Sequence, residues 1–166
     1  MRKYKTALIG FGMVSQGYSE DKLMLKFCKF PTHASVLKKH NSFDWQIVID
    51  NDLNACKLAT DKWKVPFVFD SLEKAKNYLK DIEIAIIATP PNHREEVLDF
   101  CPSLKAIIVE KPLGLDYKSS KIFIDKCINR KIKVQVNFWR RGDSFFNELA
   151  NGEMEKILGK IQVVYG

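Results

Sequence analysis

The sequence predicts an α/β protein built on a doubly wound parallel sheet. Three observations carry this expectation. Strand-like and helix-like segments alternate about five times, which implies parallel pairing through right-handed crossovers. Two segments, IEIAIIAT and KAIIVEK, are nearly unbroken apolar runs, as expected of strands covered on both faces. The first strand runs straight into GFG, a turn with two glycines one residue apart.

The elements follow in order. KTALIG reads as the first strand and WQIVID, residues 45–50, as the second. In DLNACKLATDKW, Leu53, Cys56 and Ala59 or Leu58 recur at helical spacing, and Asp52 is placed to cap that helix. PFVF is a brief third strand. DSLEKAKNYLK starts a helix at Asp70 or Ser71, with Glu73 at capping-box distance. IEIAIIAT is the fourth strand, NHREEVLDFC a helix and KAIIVEK the fifth strand. DYKSSKIFIDKCINRK is the clearest amphipathic helix, with Ile122, Phe123 and Cys127 on one stripe. KVQVNFW alternates Val134, Val136 and Phe138 with Gln135 and Asn137, which predicts a half-covered strand at or near a sheet edge. GDSFFNELANGEMEK reads as one more short helix. GKIQVVYG then starts a strand that either pairs back onto the first sheet or opens a second domain, because a lone strand would expose unpaired backbone.

Composition narrows the function classes. The chain has 166 residues, 46% of them hydrophobic, enough for one packed domain. No apolar run approaches the ~18 residues of a membrane helix. The N-terminal apolar stretch is short, broken by glycine and without a cleavage site, so a cytoplasmic protein with no membrane partner is expected. Cys28, Cys56, Cys101 and Cys127 lie far apart, with no CxxC spacing and no histidines grouped with them. Reduced, mostly buried thiols are expected, with neither a metal site nor a disulfide framework. The formal charge is +7, but the lysines are scattered and the basic clusters LKKH, NRKIK and WRR are short. That pattern favours a solvated basic surface over a nucleic-acid groove, and an anionic small ligand fits the charge equally well.

The glycine turn has two readings: a plain end to a strand, or a dinucleotide-binding turn. In the second, glycine lets the turn close tightly and lets a diphosphate approach the backbone at a helix N-terminus. Gly10 and Gly12 stand where this requires them, Met13 and Val14 continue the turn, and Ser15 occupies the third position of the GxGxxG pattern. Asp50 ends the second predicted strand, where a carboxylate accepts from adenosine ribose hydroxyls, with Asn51 beside it. The competing role for Asp50 is a helix cap, which Asp52 can also fill. Asp50 lies 40 residues after Gly10, more than the usual spacing, and the excess falls in SEDKLMLKFCKFPT. This reads as an insertion that lengthens or splits the first helix, with Pro31 as the break. A carboxylate repels a 2′-phosphate and no arginine follows in DNDLN, so NAD is favoured over NADP, with Lys57 near enough to keep NADP open.

Three further stretches sit at predicted strand ends: ATPPNHREEV, VEKPLG and NFWRR. With GFGMVS and VID, they resemble the Gfo/Idh/MocA family of nucleotide-dependent oxidoreductases, from Ala7 to Tyr165. The resemblance implies a two-domain enzyme. A Rossmann-like domain, residues 1–141 here, binds NAD(P). Residues 142–166 match the first helix and strand of a second α+β domain, incomplete in this chain, that holds the substrate and often the oligomer interface. The resemblance places Thr89 and Pro90 along the cofactor, with Asn92 and His93 close by. It places Glu110 and Lys111 near the nicotinamide ribose, with Lys111 also facing the substrate, and a cis bond before Pro112. Trp139 and Arg140 correspond to a loop closing over the nicotinamide. Arg94 stands where the family often has histidine, which is a departure, as is Ser15.

The implied chemistry is hydride transfer between a sugar- or polyol-like alcohol and the nicotinamide. Lys111 is the candidate general base if partial burial lowers its pKa; its competing role is to hold the ribose and orient the ring. The expected function is therefore the cofactor half of such an oxidoreductase, binding dinucleotide without turnover by itself, with a homo-oligomer formed through the second domain. A non-catalytic nucleotide-binding sensor or regulatory module is the alternative. A basic RNA-binding domain is the third reading, motivated only by charge and NFWRR.

Overall fold

The computed structural model describes residues 2–92, 94–153, 155–160 and 162, and divides into residues 1–136 and residues 137–166. The first unit is one sheet. Its strands are β1 (Tyr4–Ile9), β2 (Phe43–Ile49), β3 (Phe67–Phe69), β4 (Ile84–Ile87), β5 (Ala106–Val109) and β6 (Lys133–Val136). They lie in the order β3-β2-β1-β4-β5-β6 and every pair is parallel. The chain winds outward from β1 to β3, returns beside β1 as β4 and winds outward again to β6. In a sheet of this order the ligand crevice is expected beyond the strand C-termini where the winding reverses, here between β1 and β4.

Register decides what meets in that crevice. Ile9 is level with Ile49 and with Ile87, and Ile87 is level with Val109. The residues that follow, Gly10, Asp50, Ala88 and Glu110, therefore emerge together along one edge of the sheet. β6 is the outermost strand on its side and alternates half-buried and exposed residues as its sequence predicts, but it ends at Val136, and Phe138, expected on its covered face, is exposed.

Successive side chains on a strand point to opposite faces, so β1 needs cover on both. Ala7 and Ile9 join one core with Ile47, Ile49, Ala85 and Ile87. That face is covered by α4 (Leu72–Leu79), α5 (Glu96–Phe100) and α6 (Tyr117–Asn129), through Leu79, Leu98, Phe123 and Cys127. Leu8, Val48 and Ile86 point the other way, against α2 (His33–Lys39) and α3 (Leu53–Asp61), through Ala34, Leu37 and Ala59. Burying one such aliphatic side chain contributes about 1.5–3 kcal/mol, so this double cover supplies most of the drive to fold.

The stretch after the glycine turn departs from the expectation of a helix. Residues 13–16 form only a turn, followed by a 3-10 turn at Gly17–Glu20 and the short α1 (Met24–Phe27), whose first amides donate to the Asp21 carboxylate. The covering helix of the first crossover is α2, which starts after Pro31. Proline holds the preceding residue extended, and Thr32 then caps α2 in a reciprocal box with Ser35. The first helix is thus split, as the insertion predicts.

Several other expectations are corrected. Leu53 and Ile122 are exposed rather than on the buried stripes of α3 and α6. The cap of α4 is Ser71, which puts Lys74 at the box position; there is no capping box with Glu73, and Asp70 pairs with Lys74 instead. Helix α5 is shorter than its sequence suggests and starts after Arg94. Of the four thiols, Cys28 is exposed, Cys56 half-buried and only Cys101 and Cys127 buried. Burial pushes the Cys101 thiol up to about 12 and the Cys127 thiol to about 11.

The second unit holds a 3-10 turn at Trp139–Gly142, α7 (Ser144–Ala150) and α8 (Glu155–Leu158). One predicted helix is therefore two, interrupted at Gly152, whose positive φ of 73° ends α7. Most of the predicted strand GKIQVVYG lies outside the described residues. Among the described residues no helix is long and apolar enough to cross a membrane.

Candidate functional site

The two glycines of the turn do different work. Gly10 has φ +87°, and a Cβ there would lie 2.8–2.9 Å from the backbone of Ala88 and Thr89. Only glycine fits where the turn crosses the end of β4. Around Gly12 nothing lies within 4 Å of an added Cβ, so its face is open. The turn is anchored from below. Phe11 is fully buried between Trp45 and Trp63, with ring centroids 6.1 and 6.4 Å away. Ser15 is buried; its hydroxyl donates to the Gly10 carbonyl at 2.6 Å and its carbonyl accepts from the Ala34 amide at 2.8 Å. The serine hydroxyl therefore tightens the turn, while the backbone at this position joins it to α2. Among the described residues, no acceptor meets the N–H groups of Gly12, Met13, Val14 or Ser15. Met13 and Val14 themselves are exposed.

Asp50 is tied to this turn. Its Oδ2 accepts from the Phe11 amide at 2.5 Å and its Oδ1 from the Asp52 amide at 2.8 Å. The Cys56 thiol donates to the Asp50 carbonyl at 3.0 Å; burial pushes that thiol's pKa up, so it stays a protonated donor. Asp52 caps α3 by accepting from the Asn54 amide at 2.8 Å, which settles the competition for the cap. Each Asp50 oxygen keeps a second lone-pair site for a ligand. Asn51 is exposed beside it.

The loops after β4 and β5 form the other half of the edge. Thr89 is half-buried, Pro90 and Asn92 are exposed, and His93 lies outside the described residues. Glu110 is 8% exposed, and its Oε1 is 2.8 Å from Nε2 of His33, the first residue of α2. Lys111 is exposed and precedes Pro112 through a cis bond. The partial burial expected of Lys111 is therefore not provided by the described residues. Trp139 and Arg140 belong to the second unit; the Trp139 side chain lies outside what is described, and the Arg140 guanidinium lies over the Phe146 ring at 5.5 Å.

Sequence reasoning missed two residues here. Arg94, read as a departure from a family pattern, is 2% exposed. Its guanidinium donates to the carbonyls of Glu110 at 2.6 Å, Pro112 at 2.5 Å and Leu113 at 3.3 Å, and to that of Thr89. Burial pulls its pKa down, and the nearby Glu110 charge pulls it back up. His33 was visible only as the end of an insertion. Neither contact has a local signal, since the partners lie 16 and 77 positions away.

The dinucleotide fits these residues: an open face at Gly12, four unpaired amides and a carboxylate on the adjacent strand end. A hollow of about 350 Å³, lined by Phe30, Val36, Lys39, His40 and neighbours, lies at the start of β2, at the opposite end of the sheet from the turn.

Comparison with known proteins gives the chain's family and fold. The family model for Gfo/Idh/MocA proteins, an oxidoreductase family with an NAD-binding Rossmann fold, matches residues 5–138. The chain is 26% identical to mouse trans-1,2-dihydrobenzene-1,2-diol dehydrogenase over 134 residues, covering 78% of this chain and 40% of that protein. It is 28% identical to inositol 2-dehydrogenase of Rhizobium meliloti (strain 1021) over 96 residues, 57% of this chain and 28% of that one. Among solved structures, scyllo-inositol dehydrogenase from Lactobacillus casei, with bound NAD(H) and scyllo-inositol, superposes with a TM-score of 0.72 at 18% identity, covering 96% of this chain and 43% of that one. A WlbA dehydrogenase in complex with NADH and UDP-GlcNAcA also gives 0.72, at 21% identity over 97% of this chain and 42% of that one. The structural likenesses establish the fold, and the chain spans about two fifths of these proteins or less.

Proposed function

Because this chain belongs to the Gfo/Idh/MocA oxidoreductase family, we propose that it is the NAD-binding portion of an enzyme that transfers a hydride between a nicotinamide cofactor and a sugar- or polyol-like alcohol. The observation that carries the reading is the meeting, at one sheet edge, of the unpaired turn amides with the Asp50 carboxylate. The amides of Gly12, Met13 and Val14 hold the diphosphate, since clustered main-chain N–H groups gather anions. Asp50, with Asn51 beside it, accepts from the adenosine ribose and disfavours a 2′-phosphate, so NAD is preferred to NADP. Thr89, Pro90, Asn92, Glu110 and Lys111 line the nicotinamide half. The nicotinamide, when bound, supplies the hydride acceptor or donor. Lys111 takes or returns the proton of the reacting hydroxyl at Nζ, once ligand and enclosure have desolvated it. The inositol dehydrogenases among its relatives support a polyol substrate. The proposal assigns residues 1–141 to the cofactor domain and 142–166 to the start of a substrate domain, where Trp139 and Arg140 adjoin the join, and places the protein in the cytoplasm.

A second reading, nucleotide binding without turnover, is favoured by the exposure of Lys111. Titration with NADH and NADPH tests the shared part. Trp45 and Trp63 flank Phe11 of the turn and serve as energy donors to reduced nicotinamide. NADH is expected to bind more tightly than NADPH. The reverse order overturns the role of Asp50, and binding of neither sinks both readings. Because this portion is expected to bind dinucleotide without turnover by itself, oxidation of inositol with NAD, assayed in a protein that also carries a substrate domain, then separates the first reading from the second.

A further inference from the structure

We propose that Arg94 is a positioning residue that locks the loop after β4 to residues 110–113 and thereby sets Lys111 and the nicotinamide half of the site; this rests on the reading that the sheet edge binds NAD. Arg94 lies at the turn into α5, and its guanidinium reaches across to two loops at once. It donates to the Thr89 carbonyl on one side and to the carbonyls of Glu110, Pro112 and Leu113 on the other. Glu110 and Pro112 flank Lys111, so the backbone is gripped on both sides of the candidate catalytic lysine.

The chemistry of the grip belongs to arginine. A planar guanidinium presents five donors in a fixed fork, so it can hold several carbonyls at set separations. A lysine carries the same charge on a single ammonium at the end of a flexible stem and cannot span both loops with the same geometry. Burying a cation is costly, and here it is offset by the carbonyl dipoles and by the Glu110 charge. Glu110 is in turn fixed by His33 at 2.8 Å, and His33 opens α2, the helix joined to the glycine turn through Ser15 and Ala34. The contacts therefore extend from Arg94 through Glu110 to His33 at the start of α2. The Nε of Arg94 is buried and meets no acceptor, so the grip is made by the two terminal nitrogens alone.

The sheet order supplies the test. β2 and the glycine turn lie on one side of the switch point and the loops after β4 and β5 on the other, so the adenosine and nicotinamide halves of the ligand are read by different residues. ADP probes the first half, NADH both. In the full chain, Arg94→Lys and Arg94→Gln are expected to weaken NADH about tenfold, the order expected when a charged hydrogen-bonding group is lost, while ADP binding stays within about twofold. The fluorescence enhancement of bound NADH should fall with the first effect. Arg94→Lys behaving as wild type would mean that charge alone suffices and would overturn the proposal. Equal losses for ADP and NADH, the mark of a general loosening, would also overturn it. If both Arg94 variants fail to fold, His33→Gln, which removes the imidazole contact to Glu110 but leaves the guanidinium, must give the same split at smaller size; no split counts against the proposal. Wild-type protein that binds neither ligand would remove the underlying reading and the proposal with it, whereas wild-type binding without a split removes the proposal alone.

Discussion

Gly10 and Gly12 look alike in the sequence and are expected to part ways on mutation. Gly10→Ala forces a Cβ into the backbone after β4 and a side chain into positive φ, so it should cost about 1–3 kcal/mol of stability. Gly12→Val meets nothing in the folded chain and should leave stability within about 0.5 kcal/mol. Its side chain fills the space in front of the free amides, so NADH binding should be lost. Urea denaturation and NADH titration on the two variants check this; a Gly12→Val protein that binds NADH normally would remove the diphosphate from the turn. Asp50 shows why residue type alone is an incomplete guide. Its position at the end of a strand was legible, but its bond to the Phe11 amide was not, because that bond exists only when β1 and β2 lie side by side.

Among the elements, α2 carries the most information. Seven residues long, it supplies Ala34 and Leu37 to one core and His33 to the site. Its cap is reciprocal between Thr32 and Ser35, and the Thr32 hydroxyl is also 2.7 Å from that of Ser19 in the insertion. Thr32→Ala should therefore cost about 1 kcal/mol, the usual loss for an N-cap, read as a shift in the urea midpoint at unchanged slope. A neutral result would mean that the insertion, rather than the cap, sets the start of α2. The break at Pro31 could be read from the sequence, since proline stops a helix from its own chemistry. The loss of a regular helix directly after the turn could not, because that depended on where the covering side chains of α2 would land.

At the scale of the molecule, the end of the sheet opposite the site is fastened by Glu83. Its Oε1 lies 2.6 Å from Lys105 Nζ and 2.5 Å from Arg2 Nη2, and its Oε2 accepts from the Lys5 amide at 3.4 Å, so β1, β4 and β5 are joined at their starts. The Lys105 bond, with help from the Lys5 amide and Arg2, holds the Glu83 carboxyl below its ordinary 4.5. A carboxyl depressed in the folded state contributes stability above its unfolded pKa and loses it as pH falls through the folded value. Glu83→Gln should therefore lower Tm at pH 7, and the gap to wild type should close as the pH drops below about 4.5. A gap that stays constant with pH would assign the effect to packing instead of charge.

The sequence by itself determined the alternation of strands and helices, the burial of the central strands on both faces, the edge position of β6, the glycine turn and the acid at the end of β2. Each of these rests on local chemistry: apolar periodicity, the backbone freedom of glycine, the rigidity of proline. Only the tertiary structure decided that Gly10 rather than Gly12 is sterically obligatory, that Asp50 is bonded to the turn, that Lys111 stands exposed, and that Arg94 and His33 converge on the EKP loop. Those contacts join residues far apart in the chain. They come into being when the register of parallel strands brings Gly10, Asp50, Ala88 and Glu110 to one edge, and no pattern along a single segment can encode a register between two.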